Sequence, residues 1–139
     1  MPLVAPNEGL NDQLAYILKS TISGVTDWEL MLFINNATLT QATVFADLSE
    51  ATFGGYSRVT LTRASWTSPT IIADKAVSTY TTTPTTWTVS SGSETVYGYA
   101  IITATSSVIR YVEKFASPVA VVAGGILGVL PRVTLTTAP

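Results

Sequence analysis

The sequence predicts a mainly β protein, an antiparallel β-sandwich or barrel, with one N-terminal α-helix and an extended N-terminal arm. Three observations predict it. Beyond Gly24 the apolar residues alternate with period two, the signature of half-buried strands. Seven or eight such runs are separated by Gly, Ser, Asn and Pro turn signals. Only before Gly24 does the spacing lengthen to that of a helix. At 139 residues the chain fits one core, which gives an arm over residues 1–7 and a single β-rich domain over 8–139, its helix at 8–23.

In "MPLVAPNEG", Pro2 and Pro6 bracket small apolar residues and favour extended backbone. Asn7 is positioned to cap the helix. Leu10, Leu14, Ile17, Leu18 and Ile22 follow along one helical face, and Ser23-Gly24 closes it. In "TDWELMLFINN" the period switches: Trp28, Leu30, Leu32 and Ile34 oppose Glu29, Met31 and Phe33, which predicts a strand with one strongly apolar face. The connection after Asn35-Asn36 is long, with a short helical turn expected near Val44 to Leu48, and connections of that length often carry function.

The pentapeptide RVTLT occurs twice, at 58–62 and 132–136. Each copy sets Val and Leu against Arg and Thr and so reads as a half-buried strand. The flanks "GGYS" and "GVLP" differ, and a period-two pattern has few words, so the coincidence does not indicate an internal repeat. "TIIADKA", "AVSTYTTT" and "TTWTVSS" are further strands. "ETVYGYAIITATS" is a long one in which Gly98, between two tyrosines, marks close backbone approach or a bulge. Ser106-Ser107 turns it into "VIRYVEKF" as a hairpin. "SPVAVVAGGILGVLPRVTLTTAP" supplies a further strand, a Gly-Gly turn and a last strand that Pro131 confines to an edge or a bulge.

Composition narrows the chemistry. Cysteine is absent, which removes disulfides, thiolate metal sites and cysteine nucleophiles. Histidine is absent too, and with it go the commonest general base and nearly every ordinary zinc site. Asp27 with Glu29, or Asp47 with Glu50, are the carboxylate pairs available for acid and base work, but they fall on a strand face and in a Thr/Ser-rich loop where solvated acids are ordinary. Neither Gly54-Gly55 nor Gly124-Gly125 is followed by the Lys-Ser/Thr of a phosphate loop. The acids have no calcium-loop spacing. No enzyme, cofactor or metal is therefore expected.

Charged residues make up 12% of the chain against roughly 25% in typical soluble domains, and mean hydropathy is +0.38. Such a surface either shows Thr and Ser in place of charge or is covered by other subunits. The seven basic residues are scattered, which gives no nucleic-acid footprint. The longest apolar stretch, Val119 to Leu130, is broken by Gly124-Gly125 and is too short for a membrane helix. "MPLVAPNEG" does not read as a signal peptide, so a protein made and used without crossing a membrane is expected. Trp66, Trp87, Tyr80, Tyr97, Tyr99 and Tyr111 could present flat faces to a sugar, although packing is the commoner use of such side chains.

Taken together, "PLVAPNEG" leading into a helix, "WELMLFINN", "ADLSEATFGGYSRVTLTRASW", "TVYGYAI" and "VEKFASPVAV" give the chain its likeness to a known group. In these stretches, which span most of its length, the chain resembles a family of small virion structural proteins of tailed bacteriophages, of the capsid cement or decoration kind. It departs from that pattern at Arg110-Tyr111-Val112, where relatives tend to carry Trp or Leu before the Glu-Lys/Arg-Phe element. The resemblance implies a non-enzymatic protein of the virion, on the capsid surface, produced in the bacterial host cytoplasm. Its partners would be the major capsid protein or other virion proteins, with further copies of itself in a homo-oligomer and no part for nucleic acid or membrane. A tail, neck or fibre component, or a glycan-binding sandwich, are the alternatives. The positions expected to face a partner are Pro2, Leu3, Val4 and Pro6 in the arm, Arg58 and Arg132 in the pentapeptides, Pro131 at the last strand, and Tyr97 and Tyr99.

Overall fold

A computed structural model describes residues 6–19, 27–81, 83–104 and 107–136. The protein is mainly β, with antiparallel sheets and one helix near the N-terminus, α1 (Asn7–Lys19). Among the described residues the strands are β1 (Trp28–Phe33), β2 (Val59–Leu61), β3 (Thr70–Ile72), β4 (Lys75–Thr79), β5 (Thr85–Thr88), β6 (Ser93–Thr103), β7 (Ile109–Val122), β8 (Ile126–Val129) and β9 (Arg132–Thr136). They divide between two compact units, one drawn from Met1–Val25, Thr62–Pro84 and Leu130–Pro139, the other from Thr26–Leu61 and Thr85–Val129.

In the first unit α1 packs on a three-stranded sheet of order β3-β4-β9. Leu10, Leu14 and Leu18 are buried as the helical spacing requires, and Ile17 is half-buried; Pro2, Leu3, Val4 and Ile22 lie outside the described residues. The helix starts one residue earlier than the expected Asn7 cap, because the Pro6 carbonyl already accepts the Leu10 N–H at 3.0 Å. Its other end is met by two cations. The Arg63 guanidinium donates to the Ile17 carbonyl at 3.1 Å and Lys19 Nζ to the Trp66 carbonyl at 2.9 Å, which places positive charge at the negative end of the helix dipole.

The expected strand "TIIADKA" is instead a hairpin: β3 and β4 pair with Ile72 opposite Lys75, and the turn is Ala73-Asp74. Both turn residues have positive φ, 48° and 59°, the backbone of the tight hairpin turn that normally calls for Asn or Gly. Alanine carries no such signal, so the turn was invisible in the sequence. It also leaves the hairpin strained, since a β-carbon in the left-handed region costs about 1–2 kcal/mol. Ala73→Asn should therefore raise stability by about 0.5–1 kcal/mol in urea denaturation; an unchanged midpoint would show that the turn is not held in this conformation.

The second unit contains a four-stranded sheet of order β2-β1-β6-β7 and a ribbon of β5 with β8. The long strand β6 pairs with β1 through Trp28↔Thr103 to Phe33↔Gly98, and with β7 on its other side. The predicted one-faced burial of β1 needs correction, because Met31 and Phe33 are as deeply buried as Leu30 and Leu32. The long connection supplies the cover: Leu48 packs with Met31, Phe33, Ala100 and Ile102, and Ala37, Leu39, Phe45 and Tyr97 lie against that cluster.

Two further boundaries differ from expectation. "SPVAVV" is not a separate strand but the continuation of β7, while the predicted last strand is two, β8 and β9, divided at Leu130-Pro131. Pro131 is buried and its carbonyl accepts the Tyr80 N–H at 2.9 Å. Both copies of RVTLT end up as the outermost strand of a sheet, β2 in one and β9 in the other.

Candidate functional site

The connection from Asn35 to Arg58 is fixed by side chains that bond its own backbone. Asn35 Nδ2 donates to the Asp47 carbonyl at 2.8 Å and its Oδ1 accepts the Ser49 N–H at 2.8 Å. Asp47 Oδ2 accepts the Val44 N–H at 2.8 Å, closing the short helical turn Phe45–Asp47. The Glu94 carboxylate accepts both the N–H and the hydroxyl of Thr52.

Three charged side chains meet at the loop's far end. The Arg58 guanidinium forks onto Glu50, Nε to Oε1 at 2.8 Å and Nη2 to Oε2 at 2.7 Å, and its Nη1 reaches Glu29 Oε2 at 3.3 Å. The Tyr56 hydroxyl donates to Glu50 Oε1 at 2.9 Å and accepts the Leu32 N–H at 3.2 Å. The Arg58 fork holds the Glu50 carboxyl below the ordinary carboxylate value, and the same pairing pushes Arg58 further up. Burial raises Tyr56, with a contribution from its bond to Glu50. These groups are clamped, Arg58 also lying 5.5 Å over the Phe45 ring.

The clamp holds an apolar edge in the open. Val44, Phe45 and their neighbours Thr43 and Ala46 face Ser107, Val108 and Ile109 across a groove of about 400 Å³. Val44 is 55% and Val108 46% exposed. The opposite wall is pinned in the same way: the Val108 N–H donates to Thr103 Oγ1 at 3.1 Å, and the Thr103 N–H to the Val108 carbonyl at 3.0 Å.

A second apolar area lies along β7. From Phe115 through Leu130 there is no charged residue. Between Gly98↔Lys114 and Val96↔Val119 the ladder steps two residues on β6 and five on β7, so β7 bulges over residues 115–118 and then rejoins Ser93–Val96 as a ribbon. On that ribbon and at the start of β8, Val119, Val122 and Ile126 are exposed, Ile126 to 72%. These two apolar areas form the candidate site.

The positions predicted to face a partner are distributed unevenly. Pro6 is exposed; Arg132 is exposed on β9. Arg58 is committed to Glu50 and Glu29. Tyr97 is half-buried against the Met31 cluster. Tyr99 is buried, with its hydroxyl on Glu113 Oε2 at 2.5 Å, and Pro131 is buried as well, so neither presents surface. Among the acids considered for catalysis, Asp47 caps its own turn and Glu29 and Glu50 share Arg58. Trp66 and Trp87 are buried at 2% and 3%, Trp87 with its indole N–H on the Ser57 carbonyl at 2.8 Å; neither offers a flat face to a sugar. The apolar residues that face outward at the two areas, Val44, Val108, Val119, Val122 and Ile126, are not among the positions expected to face a partner. The uncharged run from 115 to 130 was the signal for three of them.

Comparisons with protein-family models, with curated proteins and with solved structures find no match to the chain.

Proposed function

We propose that the chain is a non-enzymatic structural component of a tailed-phage virion, acting as a capsid cement or decoration protein that binds and stabilises the shell of major capsid protein. One observation carries the reading: apolar side chains stand in the open at a pinned loop and along a strand segment that carries no charge of its own. Such a surface is costly in water and becomes favourable when covered. A protein that works by being covered needs a rigid contact area and no reactive group, and many weak copies add up on a lattice. The sequence resemblance to virion proteins gives the lattice its identity in this proposal.

Particles assembled with the gene intact should carry the protein in a fixed ratio to the shell subunit, and particles assembled without it should lose their shells at lower temperature. Imaging would then place it on the capsid. Density at the tail, neck or fibre instead would move it to the alternative virion role, and purified particles lacking the protein altogether would end the proposal.

A further inference from the structure

We propose that a second copy of this chain pairs antiparallel along the outer edge of β7, at Val119–Val122. The proposal rests on the reading of this uncharged surface as a contact surface, and it names the occupant.

β7 is the outermost strand of its sheet, and among the described residues no strand pairs with its outer side. Over Val119–Val122 its inner side is held by Ser93–Val96, beyond Gly98, the last β6 residue paired with β1. Open edges are guarded by charged side chains, by proline or by bulges, and on β7 the bulge and Pro118 stop short of Val119. Here the nearest charge before the segment is Lys114, which donates to Asn36 and Ala37, and none follows through Leu130. Pro118, lacking an N–H, ends the usable edge on one side.

The partner follows from complementarity. A strand edge alternates donors and acceptors and is its own complement under a two-fold axis, the commonest symmetry of oligomers. Such an axis normal to the sheet pairs residues of the same parity, so an axis at Val121 sets Ala120 opposite Val122 of the second copy, and the ladder ends there because Ala123 already belongs to the turn closed by the Gly125 N–H on the Val122 carbonyl. Pro118 then stays outside the ladder. Every pair is uncharged, and the one charge beside the segment, Glu94 opposite Val121 on β6, is bonded to Thr52. Beside the edge lies an open recess of about 70 Å³ between Val119–Val122 and Val89, Gly125 and Ile126. That is far below the roughly 300–1,000 Å³ of small-molecule sites. A strand fits the place; a cofactor does not.

The ladder is short, so the dimer should be weak and readily exchanging, below the 1,200–2,000 Å² or so of stable interfaces. Sedimentation equilibrium of the full chain over rising concentration should show a reversible monomer–dimer equilibrium. Ala120→Lys with Val122→Lys should weaken it at least tenfold, as should Ala120→Glu with Val122→Glu. An equimolar mixture of the two should associate at least as tightly as the original chain, because the register places Lys opposite Glu. In a chain with no cysteine, Ala120→Cys mixed with Val122→Cys should cross-link as the heterodimer in preference to either homodimer, which tests the register without adding charge. A chain that stays monomeric at every concentration, charge variants that associate like the original, or cross-linking without preference between the three pairs would overturn the proposal. None of those results would touch binding to particles, which is read separately on shells.

Discussion

Gly98→Val should destabilise the protein by about 3 kcal/mol or more, a large part of the 5–15 kcal/mol that holds a typical domain together. A β-carbon at this position would stand 2.1 Å from the Glu113 carbonyl oxygen, 2.9 Å from Lys114 Cα and 2.7 Å from Phe33 Cζ. The phenyl ring could turn aside. The two backbone atoms cannot, because they belong to the β7 segment paired with β6 through Gly98↔Lys114, Tyr99↔Glu113 and Ala100↔Val112. Relief therefore requires β7 to move off β6 at the lip of the bulge, opening the ladder and uncovering Phe33, Ala100 and Ile102, all at 0% exposure. Gly98→Ala should show the same effect at smaller size.

The control is Gly124, which has φ of +87° and nothing within 4 Å of an added β-carbon. Gly124→Ala meets backbone strain alone, about 1–2 kcal/mol, whereas the loss at Gly98 is purely steric. Urea denaturation followed by tryptophan fluorescence should rank the two in that order. Equal losses would mean that β6 and β7 do not approach as closely as described.

Gly98 also shows how far the sequence could be read. A glycine between two tyrosines in an otherwise β-branched strand announced a bulge or a close approach, and the structure has both. Strands with alternating side chains were legible for the same reason, since period two is a direct consequence of the pleat. What could not be read was anything set by a non-neighbour. Met31 and Phe33 looked like the wet side of β1 because nothing local says that Leu39, Phe45 and Leu48 will fold over them. The Ala73-Asp74 turn was missed because its conformation is imposed on a residue that does not favour it. Arg58 was placed on a surface by its position in RVTLT, yet Glu50, eight residues earlier, and Glu29 reach it from the loop and from β1. Val119 and Val122 escape notice because an apolar residue in a strand reads as core by default, and only the missing charges around Val119 to Ile126 argue otherwise.

Arg58→Met should cost about 2–3 kcal/mol at neutral pH. Removing one partner of a buried ion pair typically costs 3–5 kcal/mol, because the other charge is left without compensation. Here the side chains of Arg58, Glu29 and Glu50 keep 27%, 25% and 29% of their exposure, so water recovers part of the loss. Methionine preserves most of the packing over Phe45 and isolates the charge. Arg58→Lys should fall between, since an ammonium keeps the charge but cannot fork onto both Glu50 oxygens.

The pH dependence separates this network from ordinary packing. The Glu50 carboxyl sits below its usual 4.5 in the folded chain because Arg58 bonds its charged form. Its contribution to stability is thus complete above the unfolded value and is lost as pH falls through the lower, folded one. The original chain should weaken on acidification below about pH 4.5, while in Arg58→Met the Glu50 carboxyl, left with the burial that opposes its charge, gains from being protonated, and the gap between the two proteins should close. The consequence reaches the candidate site, because Arg58, Glu50 and Tyr56 anchor one end of the connection whose other turn carries Val44 and Phe45. Hydrogen exchange of the Val44 and Asp47 amides should therefore speed up in the variant even where the sheet stays protected. A loss under about 0.5 kcal/mol at neutral pH, the range of an ordinary surface substitution, with a gap that does not change with pH, would show that the loop is held by its apolar contacts alone.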